Sequence, residues 1–487
     1  MGSGPAEQED HARRATARLD AEGVRTIALT WVDNAGIVRV KTVPTPRLAQ
    51  VVHSGVGMSP IFDVYTSDDI VAASAHLGGP DGDLRLFPDL DRLTVLAAQP
   101  GWAWAPVDRY DQLGTPHPAC QRQFARRMAD RAAAEGLEMR MGFETEWVVV
   151  RDPAAVAPGG FAGAGGVGGP AWPDGTGGAA VPGSSEVLHY PCAGPAYGMT
   201  RVVELSDYLR DVAEALAVQG IEVLQLHPEY SPGQFEISTA PADPVRAADD
   251  LVLVRETIRA VSQRHGLRAC FAPTAVAGQV GNGCHLHLSL RREGRSLHRD
   301  PDARWGLAPD AVRFLGGILD SLPALLAVGA PSPASYLRLV PSQWAGAYRC
   351  WGVENREAAL RLVTGSPADP EGGNAEIKCF DAAANPYLLI GTVIAAGLHG
   401  ITSGGQLPPP VTGDPGALGV RERARRGITR LPVSLTEAAD HLEGAAPLLE
   451  ALGEVLYGAV MAVRRAEAAQ FAESDPEEIT AAFRWRY

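Results

Sequence analysis

Two glutamates, Glu144 and Glu146, stand two residues apart in the run EMRMGFETEWVVV (138–150). That run alternates as a strand should, and a period of two puts both carboxylates on one face while Phe143 and Trp147 face away. Four other short segments share this design. His227-Pro-Glu229-Tyr-Ser-Pro-Gly-Gln234-Phe-Glu236 is a turn between two carboxylates. Gly281-Asn-Gly283-Cys-His285-Leu-His287-Leu-Ser289 and Asn374-Ala-Glu376-Ile-Lys378 each place their polar side chains on alternate positions. Tyr336-Leu-Arg338-Leu-Val-Pro341, through Asn355-Arg356 to Arg361, is rich in arginine. Carboxylates directed into a protein interior are costly unless a cation neutralises them. An oxygen-rich cage with a single imidazole suits Mg²⁺ or Mn²⁺ better than zinc. Arginines beside such ions are what phosphoryl transfer needs, since charge on the transferring group must be stabilised. Each segment alone is weak. A Glu-x-Glu on a strand is usually a solvated face, and His285-Leu-His287 also reads as a satisfied core pair or as the HxH of a metal-dependent hydrolase. Such hydrolases want more histidines and an aspartate, whereas the companions here are glutamates and arginines.

The elements that must position these residues follow from local pattern. Between about Gly23 and Ala105 come short β-type runs at Thr26–Val32, Ile37–Thr42 and about Leu84–Leu96, with a hairpin signal at Asn34-Ala-Gly36. This predicts a small sheet-rich domain. A helix rich in Ala and Arg is predicted at about Cys120–Glu135, ahead of the strand at 138–150. Residues 153–185 are dominated by Gly, Ala and Pro and read as a flexible surface insertion. Strand-like and helix-like segments then alternate, which suggests a large α/β domain. The apolar stretch near Tyr387–Ile401 is shorter than a membrane span needs and reads as a buried core helix. A final helical stretch, Ser434–Phe471, carries Leu and Ala at packing spacing.

Composition excludes some classes. At 487 residues the chain exceeds what one core usually serves, so two domains are expected. A formal charge of −14 argues against nucleic acid or an anionic membrane as partner. The six cysteines form no CxxC pair, and the N-terminal residues have no apolar core of the signal-peptide kind, so a cytoplasmic protein with reduced thiols is expected.

Taken in this order, the five segments resemble the glutamine synthetase family, and the resemblance covers nearly the whole chain. Leu29-Thr-Trp-Val-Asp33-Asn-Ala-Gly36 and Gly82-Asp-Leu-Arg-Leu-Phe-Pro88-Asp89 resemble that family's β-grasp domain, and Asn385-Pro-Tyr387-Leu matches its NPYL segment. The resemblance implies an α+β fold: a disordered stretch at 1–15, a β-grasp domain at 16–112, and a large catalytic α/β domain of open-barrel type at 113–487 that carries the insertion. It implies one metal on Glu146, Glu229 and Glu236 and a second on Glu144, His285 and Glu376, hence two or more Mg²⁺ or Mn²⁺ ions per site. By the same likeness His287 and Ser289 lie along the phosphates of ATP, and Arg356 and Arg361 face them. Arg338 holds the acid's carboxylate, with Gly281 and Gly283 in the adjoining loop. Arg338, Arg356, Arg361 and Lys378 form the catalytic set of cations. The family also implies a ring-shaped homo-oligomer, a dodecamer, with sites completed between subunits.

The chain departs from the family where ammonia should bind. The family's flap reads RLVPGYEAP, but here it is Arg338-Leu-Val-Pro-Ser-Gln343-Trp344-Ala-Gly346, with Trp344 at the glutamate position. The small domain reads Gly57-Met-Ser-Pro-Ile-Phe62-Asp63-Val-Tyr65, with no DGSS. Val280 stands at an asparagine position and Lys378 where an arginine is usual. An indole is no base, but it offers a π face to an alkylammonium and an apolar wall to a carbon chain. The expectation is therefore an ATP-dependent ligase joining a carboxylic acid, glutamate first, to a small primary amine. An ammonia-using glutamine synthetase comes second, then a non-catalytic ring of the same fold, with a metal-dependent hydrolase last.

Overall fold

The computed structural model describes residues 5–152 and 188–487; the insertion expected at about 153–185 lies outside the described residues. The first fifteen residues, expected to be disordered, are instead helical from Pro5. The helix Pro5–Ala21 buries Ala15 and Leu19 in the small core with Ile27 and Leu29, which is why it forms. The small sheet has six strands among the described residues. Thr26–Val32 runs antiparallel to Val38–Pro44 and parallel to Trp102–Tyr110, which then pairs with Leu84–Pro88. The hairpin expected at Asn34-Ala-Gly36 is present, closed by Asp33 N–H to Ile37 carbonyl at 3.0 Å.

This hairpin is the plug that joins the two domains. The Asn385 side chain donates to the carbonyls of Val32 (2.9 Å) and Asp33 (3.1 Å), while its oxygen caps the helix Pro386–Ser403. The NPYL segment thus starts a core helix and clasps the small domain with one residue. Buried Arg464 adds a bond to the Asn34 carbonyl at 2.7 Å. Gly36, at φ +84°, lies so close that a Cβ there would meet the Ala383 carbonyl oxygen at 1.8 Å.

The large sheet has nine strands among the described residues. Its main path runs Trp351–Val353, Leu360–Val363, Asn374–Ile377, Cys284–Arg292, Glu138–Arg151, Gln234–Thr239, Val223–Pro228. Helices Gln121–Ala134 and Pro244–Arg264 pack on the strand Glu138–Arg151, and both also pack on Pro386–Ser403. That last helix and its neighbour Pro309–Gly329 are each long and apolar enough to cross a membrane, yet both run through the core against one another. The mixed sheets with helices on one side make an α+β fold. The C-terminal helical stretch is three helices, Leu435–Glu443, Ala446–Leu452 and Glu454–Gln470. The last break is made by Gly453, whose φ of +76° no helix continues.

Because the Gly36 contact is with backbone, Gly36→Ala should destabilise the chain by about 2 kcal/mol or more. Chemical denaturation will show this as a lower midpoint; an unchanged midpoint would mean that the hairpin does not seat on Ala383.

Candidate active site

Strand register assembles the chemistry. Glu146 lies directly opposite Glu236, His227 opposite Glu236 on the next strand, and Glu144 opposite His285. His287 and Arg361 both face Glu376. Directly paired residues share a face of the sheet, so six adjacent strands deliver one row of carboxylates, imidazoles and a guanidinium. The opposite face carries Phe143, Thr145 and Trp147, all buried, with the Trp147 indole donating to the Tyr208 hydroxyl at 3.1 Å. The apolar half of the alternation anchors the strand and the polar half is left to line a cavity of about 440 Å³.

Distances within the row are short. His285 Nδ1 is 3.3 Å from Glu144 and 3.2 Å from Glu376. His287 Nε2 is 3.4 Å from Glu144, and its Nδ1 is fixed by Asn374 at 2.8 Å. His227 sits between Glu229 (3.5 Å) and Glu236 (3.3 Å). Glu146 is turned to Gln234 (3.2 Å) and to the Gly283 N–H (2.9 Å). Ligand atoms therefore gather as Glu144 with Glu236 and His285, Glu144 with His287 and Glu376, and His227 with Glu229 and Glu236. The family resemblance draws the groups differently, putting Glu146 rather than His227 with Glu229 and Glu236.

The electrostatics favour a cation. Burial and Lys378 both oppose a charge on His285, yet the glutamates outweigh them and push it up to about 9. Burial alone would raise Glu144, but the His285 and His287 imidazoles beside it hold it below the usual carboxylate range. A site that draws a proton onto a buried imidazole will draw a divalent cation in its place. The donor chemistry fits: carboxylates and imidazoles, with His227 Nδ1 and His287 Nε2 buried and, among the described residues, without hydrogen-bond partners.

The cations expected from the sequence ring this cage. Arg361 bridges Glu376 (3.1 Å) and Glu354 (2.7 Å), and Lys378 meets Glu376 at 3.0 Å. Arg338 is braced by the carbonyls of Lys378 (2.9 Å) and Phe380 (2.5 Å), and its buried Nε has no partner among the described residues. Arg356, Gly281 and Val280 line the cavity, whereas Ser289 shares the His287 face but is not among the lining residues. Asp63 is remote from this cage: it is fully buried against Arg109 in the small domain.

One wall is aromatic. Tyr197 stacks on His227 with ring centroids 5.3 Å apart and donates its hydroxyl to Glu229. Tyr230 stands edge-on to Tyr197 at 5.6 Å, and Trp344 lies 5.0 Å from Tyr230. All three rings remain exposed, between 38% and 54%. Sequence reasoning assigned no role to His227, Tyr197 or Tyr230. His227 and Tyr230 could have been found beside Glu229. Tyr197 has no local signal, because it follows the long insertion and only the fold returns it to the cage.

Comparison with known proteins decides the family. The model for the glutamine synthetase catalytic domain matches residues 118–481, and that for the glutamine synthetase N-terminal domain matches residues 11–113. The chain belongs to the glutamine synthetase family. It is 51% identical over 488 residues to the gamma-glutamylpolyamine synthetase GlnA3 of Streptomyces coelicolor, covering 99% of this chain and 98% of that one. It is 28% identical to the glutamine synthetase of Clostridium saccharobutylicum, over 91% and 92% of the two chains. Among solved structures, a glutamine synthase homolog superposes with a TM-score of 0.79 at 31% identity, covering 95% of this chain and 99% of that one. A GmaS/ADP complex superposes at 0.75 and 26% identity, over 95% and 97%. The resemblance read from the five segments is thereby confirmed, and so is an ATP-dependent carbon–nitrogen ligase of the glutamine synthetase type. This family uses ATP and divalent metals, and its members are generally oligomeric.

A Cβ on Gly283 would stand 2.6 Å from His285 Nε2 and 3.1 Å from Glu146 Oε1. Gly283→Ala should therefore weaken Mn²⁺ binding about tenfold, or ~1.4 kcal/mol, with the fold intact by circular dichroism. Calorimetric titration checks this, and unaltered affinity would place the ion away from Glu146 and His285.

Proposed function

We propose that this enzyme joins the γ-carboxyl group of glutamate to a primary amine of the polyamine class. The observation that carries the reading is Trp344, set with Tyr230 and Tyr197 beside Glu229 where the family pattern presents a flap carboxylate. An acidic cage faced by three aromatic rings suits an organic cation with an apolar chain. The name of the Streptomyces relative points the same way.

Glu144, Glu146, Glu229, Glu236, His285 and Glu376 would hold two or more Mg²⁺ or Mn²⁺ ions. Bound there, the ions would neutralise phosphate charge and polarise its oxygens. Arg356 and Arg361 would face the phosphates of ATP, with His287 and Ser289 along them. Arg338, held from behind by two carbonyls, would present its free edge to the carboxylate of the acid substrate, next to Gly281, Gly283 and Lys378. ATP would phosphorylate the side-chain carboxyl group, turning a poor leaving group into a good one. The amine nitrogen would then attack the acyl carbon as the C–O bond to phosphate breaks. Trp344 would orient the amine and exclude water from the acyl phosphate.

The division into domains at 16–112 and 113–487 goes with this reading, supported by the two family matches. So does a ring of copies, a dodecamer, with sites between subunits, which is what membership of the family supports. A cytoplasmic setting fits six unpaired cysteines.

Phosphate release from ATP should be measured with Mg²⁺ and glutamate against putrescine, spermidine, ethanolamine and ammonia. Turnover with a polyamine should exceed that with ammonia at least tenfold. Fast turnover with ammonia alone would return the chain to ordinary glutamine synthesis, and none with any amine would favour a non-catalytic ring. Trp344→Glu should shift the kcat/KM ratio about tenfold toward ammonia; an unshifted ratio would reduce Trp344 to packing.

A further inference from the structure

The flap that carries Trp344 has an unusual backbone. Ser342 (φ +61°), Trp344 (φ +56°) and Gly346 (φ +70°) all lie in the left-handed region, alternating along five residues. A side-chain-bearing residue adopts this conformation only when its surroundings compensate. Alternation of this kind turns successive backbone N–H groups to one side, where they converge on an anion.

That anion is Glu357. Its carboxylate accepts the Trp344 N–H at 2.7 Å, and the Ser342 N–H also contributes to holding its charge. Glu357 is only 8% exposed, its burial weighted against ionisation, with Lys378 offsetting and Asp414 opposing. The base around it is built. Asn355 accepts the Glu357 N–H at 3.0 Å and donates to the carbonyls of Val411 (2.8 Å) and Gly413 (2.9 Å). Asp414 takes the Ser342 hydroxyl at 2.6 Å. Arg356, between Asn355 and Glu357, lines the cavity instead. The triplet Asn355-Arg356-Glu357 therefore serves two sides of one strand approach, the flap base and the catalytic cavity.

We propose that Glu357 is the positioning residue of the amine wall: its carboxylate latches the left-handed flap 342–346 and so fixes the Trp344 indole against Tyr230. This rests on the amine site proposed above but adds a residue that touches neither amine nor metal. Glu357 selects the amine through Trp344, and its removal lets the indole leave the wall while the cage and arginines stay in place.

The test compares Glu357→Ala, Glu357→Gln and the unaltered full chain by steady-state kinetics and by amide hydrogen exchange over 339–346. Alanine should raise the KM for the amine about tenfold, leave the KM for ATP within twofold, and raise exchange in the flap selectively. Glutamine keeps an acceptor oxygen and should restore most of both. If alanine prevents folding, Glu357→Asp, one methylene too short to reach the Trp344 N–H, replaces it. Unchanged exchange and amine KM in the alanine or aspartate variant would overturn the latch, as would equal effects on the KM for ATP. The two proposals fail separately. A chain that uses no amine but loosens its flap on losing Glu357 keeps the latch and loses the amine reading.

Discussion

Like charges in register are the constraint on which the rest of this structure depends. Glu146 faces Glu236 across one strand pair, with Glu144, Glu229 and Glu376 close by. Two carboxylates ~4 Å apart at an effective dielectric near 20 repel by about 4 kcal/mol, and such pairs directly opposite one another weaken a sheet. The compensation lies on the other face. Phe143, Trp147, Phe235 and Ile237 are buried to within a few percent, and each large apolar side chain contributes about 1.5–3 kcal/mol. The helices behind the sheet therefore hold the cage rigid, so that a bound cation, rather than relaxation of the strands, would relieve the repulsion.

The same logic explains how the two domains meet. The hairpin at Asp33–Ile37 brings buried polar backbone to the large domain, where each such group needs a partner. Asn385 and Arg464 supply donors to the carbonyls of Val32, Asp33 and Asn34. Asn385 caps a helix that packs on the two helices backing the catalytic sheet. A shift of the small domain would thus disturb the N-cap of Pro386–Ser403, and through that helix the support of Glu138–Arg151.

What the sequence revealed follows from the range of the forces involved. The strand Glu138–Arg151, the core helix at Pro386 and the hairpin at Asn34 were legible because period and turn chemistry are local. Glu144, Glu146, His285, His287 and Glu376 were legible because alternation places each on the side of its strand that shares a face with the others. Tyr197 was not, since its place beside His227 and Glu229 is made by packing across a long insertion. Glu357 was hidden for a related reason: its neighbour Arg356 carried the motif, and the left-handed flap that needs its carboxylate has no periodic signature. The N-terminal helix was missed because its apolar side is mostly alanine, too faint a stripe in a charged segment.

The two halves of the site answer to different physics, which is why one chain can keep one and alter the other. The phosphorylating half depends on charges fixed by six strands, and displacing any of them exposes the repulsion of the rest. The proposed amine half would depend on three loops whose rings are half exposed and touch the cage only at its edge. Ammonium has no carbon to bury against an indole, so it forgoes the apolar part of the contact. Each methylene of a longer amine is worth about 0.8 kcal/mol against such a wall, so two already favour it by more than tenfold. An aromatic surface set beside a retained cage of glutamates and arginines would thus move selectivity from ammonia toward an organic amine.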